Sequence, residues 1–227
     1  MIDCDLRSLI CYESDAVVVV NKPPCLPVQS KSGVDLESKM GEHYTRLHLI
    51  NRIDQPASGI VIFAKTAQFA AALSEQTKSK KISKTYWAVV GTEPGDKESV
   101  LTHSLLKSQK SNKSKAVGKD VRGAKMATLS YRWLGKSQNY HLLWVKLETG
   151  RHHQIRAQLA AAGLPIKGDV KYGFRRKNRD RSIHLHAISV TFSDPAIDQQ
   201  VFLAARPPQE TLWNYFTEHI GLPDIAN

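Results

Sequence analysis

The alternation of hydrophobic and polar positions along the chain predicts many short strands and few helices. Residues 60–64 form an apolar run rich in β-branched side chains. Because this run is too short for a typical helix, it indicates a strand buried on both faces. Further strands are expected over residues 10–12, 16–20, 85–90, 126–134, 140–147, 183–192 and 200–204. Helices are expected near residues 35–44, 67–77, 149–162 and 209–219. The pattern predicts an α+β fold with a mixed, mainly antiparallel β-sheet flanked by helices and loops.

Local signals place some of the element ends. Thr66 can cap the second helix, and Gly163 followed by Pro165 is typical of the end of the third. Residues 107–125 are rich in Lys, Ser and Gly, which predicts a solvated, mobile loop that can also meet phosphates. No internal repeat or break in composition divides the sequence, so residues 1–227 are expected to form one domain.

The net charge of the chain indicates what kind of partner it binds. Hydrophobic residues make up 41% of the chain, which can build a core, and 32 Lys and Arg against 21 Asp and Glu give a net charge of +11. Such an excess usually attracts a polyanion, most often nucleic acid, although a basic surface can also serve solubility. Basic runs at residues 78–84, 107–125 and 175–181 are candidates for contact with a nucleic-acid backbone.

Cysteine and histidine spacing argues against a metal centre. Cys4, Cys11 and Cys25 are an odd number without a paired motif, which disfavours a disulfide framework or a zinc site. His152 and His153 are adjacent and are expected to point in different directions, so they make a poor metal pair. The chain lacks a secretory signal pattern and a run long enough to span a bilayer. A reducing, cytoplasmic setting without membrane contact is expected.

Two charged clusters are candidates for chemistry. Arg52 and Asp54 precede the buried run at residues 60–64, so Asp54 is expected on a turn anchored on one side and open on the other. In the third predicted helix, Arg156 lies about 100° from Ile155, at the edge of the apolar face. An arginine there can reach a cleft while partly buried, or it can lie exposed along a surface helix.

Six segments together resemble the RluA family of RNA pseudouridine synthases. They are NRIDQPASG at residues 51–59, KTYWA at 84–88, KMAT at 125–128, TGRHHQIR at 149–156, GLPIKGD at 163–169 and LHA at 185–187. They are similar to the family segments HRLDxxTSG, KxYxA, K-x-A-x-T, TGRxHQIR, GxPixGD and LHA, and they occur in the family's order. The resemblance implies the pseudouridine synthase catalytic fold, a uridine-isomerising activity on rRNA or tRNA, and no cofactor or metal.

The resemblance also implies roles for individual residues. The catalytic group is Asp54, with Tyr86 stacking on the flipped uracil and Arg156 keeping the Asp54 carboxylate ionised in a dry pocket. Arg52 is expected to fill the space that the flipped base leaves, because a planar guanidinium can replace a base in the stack. The remaining substrate-binding candidates are Ile155, Asn51, Arg151, His153 and Gln154.

Departures from the family pattern keep one alternative open. Asn51 stands where histidine is usual, and Ala57, His152 and Gln158 also replace commoner residues. Because Asn51 lies close to Asp54, a non-catalytic RNA-binding protein that keeps the fold is the alternative to an active enzyme. A carboxylate-based nucleoside or glycoside hydrolase is a second alternative, although residues 55–65 hold no second carboxylate. Few residues precede the first buried strand, so we expect a stand-alone catalytic domain, a monomer without an obligatory protein partner.

Overall fold

The structure is a computed structural model that describes residues 6–31 and 33–224, so Cys4 lies outside the described residues. The strands are β1 Ile10–Glu13, β2 Val17–Lys22, β3 His48–Leu49, β4 Ser58–Ala64, β5 Ser83–Val90, β6 Glu98–Ser108, β7 Lys113–Val117, β8 Lys125–Lys136, β9 His141–Leu147, β10 Leu185–Asp194 and β11 Gln199–Ala204. The α-helices are α1 Leu36–Gly41, α2 Ala67–Lys78, α3 Gln154–Ala161 and α4 Thr211–Ile220. Short 3₁₀ turns cover Leu6–Leu9 and Val170–Tyr172.

The chain folds into two compact units. The first contains the described residues up to Lys84, the segment Ala187–Thr217 and the described residues after Ile220, and the second contains Thr85–His186 and Glu218–Ile220. The predicted α+β class with mainly antiparallel strands is confirmed. The assignment of residues 1–227 to one catalytic domain stays a prediction. No helix in the described part of the chain is long and apolar enough to cross a membrane.

The first unit is built around β2 and β4, which pair antiparallel from Val17 opposite Ala64 to Lys22 opposite Gly59. All seven residues of β4 are buried, which confirms the strand predicted from its apolar run. In this unit β1, β2, β4 and β10 are neighbours in that order, with β3 on β4 and β11 on β10. Helix α1 covers one face of the sheet, where its buried Leu36 and Met40 join a core cluster with residues of β2 and β4.

Helix α2 begins as the sequence predicts. The Thr66 hydroxyl accepts a hydrogen bond from the Phe69 backbone N–H, and Leu73 is fully buried against the unit. Helix α1 is shorter than predicted, and buried Asp35 caps it by accepting from the Ser38 N–H. Helices α2 and α4 lie within a residue or two of their expected bounds.

The second unit is a five-stranded antiparallel sheet in the order β5, β9, β8, β6, β7. The prediction that residues 107–125 form a loop throughout is wrong, because β7 lies within them and pairs with β6 from Lys113 opposite Ser108 to Val117 opposite Ser104. Strand β6 was not predicted. Strand β7 is a partly exposed edge strand with a mostly polar sequence. It therefore lacks the hydrophobic pattern from which a strand is predicted.

Helix α3 packs over β6 and β7 in the second unit. Its buried Ala157 clusters with Leu105, Ala127 and Tyr172, and all its residues from Gln154 to Leu159 are buried. The predicted start near residue 149 is wrong, because His153 has a left-handed backbone with φ of 51° and helical geometry begins only at Gln154. Its predicted end is confirmed by Gly163, which has a φ of 77° and donates its N–H to the Ala160 carbonyl.

Candidate active site

Asp54 lies on a tight turn that leads directly into β4. The Ala57 N–H donates to the Asp54 carbonyl oxygen at 3.0 Å, and the strand begins one residue later. Arg52 is exposed and Asp54 is half-buried, whereas Ile53 between them packs against the core cluster under α1. This alternation is the one expected for an extended segment, and it leaves a carboxylate on a fixed backbone with an open side.

Lys22 supports the Asp54 turn from within the unit. The Lys22 side chain is fully buried, and its ammonium donates to the carbonyl oxygens of Leu26 at 2.8 Å and Ala57 at 2.7 Å. It also donates to the carbonyls of Pro23 at 2.8 Å and Gln55 at 3.3 Å. Burial lowers the pKa of Lys22 to about 7, while the nearby Asp54 carboxylate acts in the opposite direction.

Asn51 clamps the start of the same segment to β4. Its side-chain amide donates to the Ile60 carbonyl at 3.1 Å, and its side-chain oxygen accepts from the Ile62 N–H at 2.8 Å. Asn51 is 8% exposed, so both ends of its amide are engaged inside the unit. The amide therefore holds the residues that carry Arg52 and Asp54, which is a supporting function and distinct from the substrate contact predicted for it.

Gly59 makes the passage from turn to strand possible. It has a φ of 115°, and a Cβ atom placed on it would lie 2.4 Å from the Ala187 carbonyl oxygen. Only glycine fits so close to a neighbouring backbone at that angle. Ser58 and Gly59 are the first two residues of β4, and both are buried, so the chain passes here from the turn into the core.

Arg156 is buried and ion-paired in the second unit. Its Nε atom donates to Asp169 Oδ2 at 2.7 Å and its Nη2 atom to Asp169 Oδ1 at 2.8 Å. Arg156 is 4% exposed and Asp169 is 1% exposed, so the alternative of an exposed surface arginine is wrong. The guanidinium carbon also lies 4.9 Å from the centre of the Tyr172 ring. A planar, bidentate pair of this kind fixes the orientation of the guanidinium.

The loop before α3 is fixed by Gln154. Its side-chain oxygen accepts from the Thr149 hydroxyl and from the Arg151 N–H, both at 2.9 Å, and its side-chain amide donates to the Thr128 carbonyl at 3.0 Å. Gln154 is buried, and these contacts hold the loop to β8. Arg151, by contrast, is exposed and donates from Nε to the Met126 carbonyl.

The two adjacent histidines do not point in different directions as expected. Their rings stack with centres 3.9 Å apart and planes 19° from parallel, because the left-handed backbone of His153 turns its side chain beside that of His152. Burial, then the positive charges of Arg156, His152, Lys171 and Lys107, lower the pKa of His153 to about 3. No group of three or more His, Cys, Asp or Glu side chains that could hold a metal occurs in the part of the chain that the structure describes.

Tyr86 lies on the face of the second sheet that α3 covers. It stands opposite Val145 on β9, and Val145 stands opposite Tyr131 on β8. Since side chains alternate along a strand, Tyr131 shares its face with Ala127, which packs against α3. Tyr86 is 7% exposed and Ile155 is 5% exposed.

The predicted site residues thus form two sets, one in each unit. Asn51, Arg52 and Asp54 lie on one short segment of the first unit, and Tyr86, Arg151, His153, Gln154, Ile155 and Arg156 lie in the second. Lys22, Asp169 and Tyr172 were not predicted to take part. Asp169 had a signal as the last residue of the GLPIKGD segment, whereas Tyr172 lies three residues beyond that segment and Lys22 lies outside all six.

A family model for RNA pseudouridylate synthases matches residues 16–161, which include both sets of predicted site residues. The chain belongs to the RNA pseudouridylate synthase family. Members are isomerases that convert uridine in RNA to pseudouridine, and the match confirms the family predicted from the sequence segments.

Curated proteins of known family are similar to most of the chain, and a solved structure shares its fold. It is 31% identical over 213 residues to the ribosomal large subunit pseudouridine synthase C of Buchnera aphidicola, covering 88% of the chain and 68% of that protein. It is 29% identical to the tRNA pseudouridine synthase C of Pectobacterium carotovorum over 91% of the chain and 60% of that protein. The structure of human RNA pseudouridylate synthase domain containing 4 matches with a TM-score of 0.74 at 22% identity, over 96% of the chain and 95% of that structure. The structural likeness establishes the fold.

Proposed function

We propose that this chain isomerises uridine to pseudouridine in structured rRNA or tRNA, with Asp54 as the catalytic carboxylate. The observation that carries the proposal is the Asp54 turn. The half-buried carboxylate lies just before a buried strand. The Lys22 ammonium fixes the turn through the Ala57 carbonyl, and the Asn51 side chain fixes the preceding segment to β4. Such a fixed carboxylate suits a reaction whose transition state develops charge at one sugar carbon.

The reaction breaks the N1–C1′ glycosidic bond, turns the uracil and joins its C5 carbon to C1′. C5 then loses its hydrogen as a proton and N1 gains one, so no redox partner or group donor takes part. Asp54 can attack C1′ to form an ester, stabilise positive charge on the sugar, or act as a base on the sugar. Each route requires the carboxylate to be ionised when the base is detached.

The roles of the other predicted residues rest on the matched family segments. Tyr86 stacks on the flipped uracil and assists the loss of the C5 proton, and Ile155 lines the uracil pocket. Arg156 is assigned to the chemistry by the same segments, and Asp169 fixes the orientation of its guanidinium. Arg52 fills the stack that the uracil leaves, and its exposure is compatible with that part.

The substrate-binding set divides by exposure. Arg151 is exposed and available to RNA, whereas Asn51 and Gln154 are buried with their amides engaged by the protein. We therefore assign Asn51 and Gln154 a positioning role. Asn51 fixes the segment that carries Asp54, and Gln154 fixes the loop that carries Arg151. The engaged Asn51 amide also weakens the alternative of a non-catalytic RNA-binding protein, because the residue that departs from the family pattern still anchors the Asp54 segment.

RNA contact is best supported at the loop over residues 174–182. Asn178 anchors this loop, accepting from the Lys167 ammonium and donating to the Ser182 carbonyl, both at 3.0 Å. Four of its cations are exposed and have no ion-pair partner within the described residues. They are Arg175, Arg176, Lys177 and Arg179. Holding these charges together without carboxylate partners favours a polyanion as the partner.

The salt dependence of binding gives the size of this effect. If residues 78–84, 107–125 and 175–181 together supply about six phosphate contacts, affinity for RNA falls roughly 10³-fold between about 50 and 200 mM salt. An affinity independent of salt would contradict the RNA-contact part of the proposal. We further propose that the protein acts in the cytoplasm as a monomer without an obligatory protein partner.

Tritium release from RNA labelled at the uridine C5 carbon tests the activity. The wild-type chain is expected to release tritium, Asp54→Asn to release none, and the exposed control Asp15→Asn to match the wild type. Equal release from wild type and Asp54→Asn would remove Asp54 from the chemistry. No release from the wild type on total RNA would favour the non-catalytic RNA-binding protein, and free uracil in the mixture would favour a hydrolase.

A further inference from the structure

Three segments of the second unit meet at the Tyr172 hydroxyl. The Ser114 N–H of β7 donates to the Tyr172 oxygen at 2.8 Å, and His153 Nδ1, in the loop before α3, lies 2.9 Å from the same oxygen. Tyr172 itself ends the 3₁₀ turn that follows Asp169. Tyr172 is 6% exposed and Ser114 is 2% exposed, so this junction is buried.

The Tyr172 hydroxyl can serve both neighbours at once. Its oxygen accepts from the Ser114 N–H, and its own hydrogen can be donated to His153 Nδ1 when the neutral imidazole carries its proton on Nε2. A neutral His153 fits its lowered pKa, which burial and the surrounding cations cause. Removal of the hydroxyl leaves the buried Ser114 N–H without this acceptor.

Two further contacts attach the same hairpin. The Ser114 hydroxyl donates to the His152 carbonyl at 2.7 Å, and the Lys171 ammonium donates to the Asn112 carbonyl at 2.7 Å. These contacts join the β6–β7 hairpin to the loop before α3 and to the turn that carries Tyr172. Strand β7 pairs with β6 on one side and is an edge strand, so these contacts add to the packing of α3 in holding it.

The β6–β7 hairpin carries a cluster of positive charges, so the contacts that hold the hairpin also set where these charges lie. Residues 107–117 contain four lysines and no acidic residue. Lys110 and Lys115 are exposed, while the Lys113 ammonium lies 4.9 Å from the centre of the Tyr172 ring. The Arg156 guanidinium lies at the same distance from that ring centre. One tyrosine side chain thus contacts both the basic hairpin and the arginine assigned to the chemistry.

We propose that Tyr172 is a positioning residue that fixes the basic β6–β7 hairpin for RNA binding, through its hydroxyl contacts to Ser114 and His153. This inference rests on the proposed function, because it takes RNA as the partner of the hairpin. The hydroxyl sets where the lysines lie, and the ring keeps the packing against Arg156. The two parts of the side chain can be separated by substitution.

The test is a double-mutant cycle on RNA binding, followed by fluorescence anisotropy across a salt series. Tyr172→Phe keeps the ring and removes the hydroxyl, and Lys110→Gln with Lys115→Gln removes two exposed hairpin charges. In the wild-type background the lysine pair is expected to reduce the salt slope by about one to two. In the Tyr172→Phe background the same replacement is expected to have less than half that effect, because the hairpin is no longer placed against the RNA.

A matched control uses Lys177→Gln with Arg179→Gln, two exposed cations outside the hairpin, whose effect on the slope is expected to be equal in both backgrounds. Tyr172→Phe is also expected to raise the KM for RNA about tenfold, equivalent to about 1.4 kcal/mol, with a smaller change in kcat. Ser114→Ala removes the hydrogen bond to the His152 carbonyl and leaves the Tyr172 side chain in place. It is also expected to reduce the effect of the lysine pair on the salt slope.

Additive effects of Tyr172→Phe and the lysine pair would overturn the inference. So would a control-pair effect that falls in the Tyr172→Phe background as much as the hairpin-pair effect does, because the loss would then not be specific to the hairpin. Binding is measured without turnover, so this failure is separate from that of the proposed function, which an inactive wild-type chain would indicate. Should Tyr172→Phe fail to fold, the cycle is run with His153→Phe, which removes the ring nitrogen that contacts the Tyr172 hydroxyl, and additivity there would contradict the inference equally.

Discussion

Replacing Lys22 with methionine tests how the Asp54 turn is supported. Methionine keeps most of the side-chain length and its burial but removes the ammonium. That ammonium donates to the buried carbonyls of Leu26 and Ala57 and to those of Pro23 and Gln55. If Lys22 positions the turn, Lys22→Met is expected to displace Asp54 and lower kcat/KM for RNA at least about tenfold.

The effect on stability is a balance of two large contributions. The pKa of Lys22 is lowered from 10.5 to about 7, and at about 1.4 kcal/mol per pH unit the fold disfavours the ammonium by on the order of 5 kcal/mol. Against this, two buried carbonyls left without a donor cost about 1–3 kcal/mol each. Because the contributions are similar in size, the free energy of unfolding of Lys22→Met at neutral pH is expected to lie within about 2 kcal/mol of the wild type.

The pH dependence of stability gives the most specific signature. Because the folded pKa of Lys22 lies below the unfolded value, the unfolded chain binds more protons between about pH 7 and 10.5. The wild type should therefore gain up to about 1.4 kcal/mol per pH unit over that window, and Lys22→Met should lack this gain. Urea unfolding at several pH values measures the difference in unfolding free energy between the wild type and Lys22→Met. Because both proteins share all other titrating groups, the contributions of those groups cancel in this difference. Identical pH profiles would show that Lys22 does not titrate in this window, and a wild-type kcat/KM for Lys22→Met would show that its ammonium does not position the Asp54 turn.

Three further outcomes follow from the packing. Asp169→Asn leaves buried Arg156 without its carboxylate, so urea unfolding should show a loss of about 3–5 kcal/mol, and a loss under about 1 kcal/mol would contradict the pair's role. Gly59→Ala should cost about 2 kcal/mol or more, because its Cβ would meet the Ala187 backbone, whereas the control Gly95→Ala has open space; equal melting temperatures would contradict this. The folded pKa of His153, about 3, lies below its ordinary value, so wild-type stability should rise with pH between about 3 and 6.5. His153→Gln should lack that rise in acid unfolding curves, and an unchanged slope would show that His153 does not titrate as described.

Local signals in the sequence predicted the elements that depend on local physics. The run at residues 60–64 has no polar side chain, so a strand formed by it has to be buried on both faces. The Thr66 cap depends only on the backbone N–H three residues later, so it too could be predicted locally. The β6–β7 hairpin escaped prediction because its stabilising contacts come from His152, Lys171 and Tyr172, which lie far along the chain. A polar strand held by distant partners carries no periodic hydrophobic signal.

The candidate site divides in the same way. The sequence motifs indicated Asp54 and Arg156, but not the groups that hold them. Burial of Lys22 depends on carbonyl acceptors up to 35 positions later, and Arg156 is paired by Asp169 after the helix has ended. The left-handed backbone at His153, which stacks two adjacent histidine rings, likewise follows from tertiary contacts that override a helix-forming sequence.

Mapping pseudouridines in cellular RNA shows whether Asp54 of this chain makes them. RNA from cells of the source organism that lack this chain is compared with RNA from the same cells complemented by the wild type or by Asp54→Asn. One or more pseudouridines in rRNA or tRNA are expected to be lost, to return with the wild type and to stay absent with Asp54→Asn. An unchanged map, or restoration by Asp54→Asn, would contradict the proposed function.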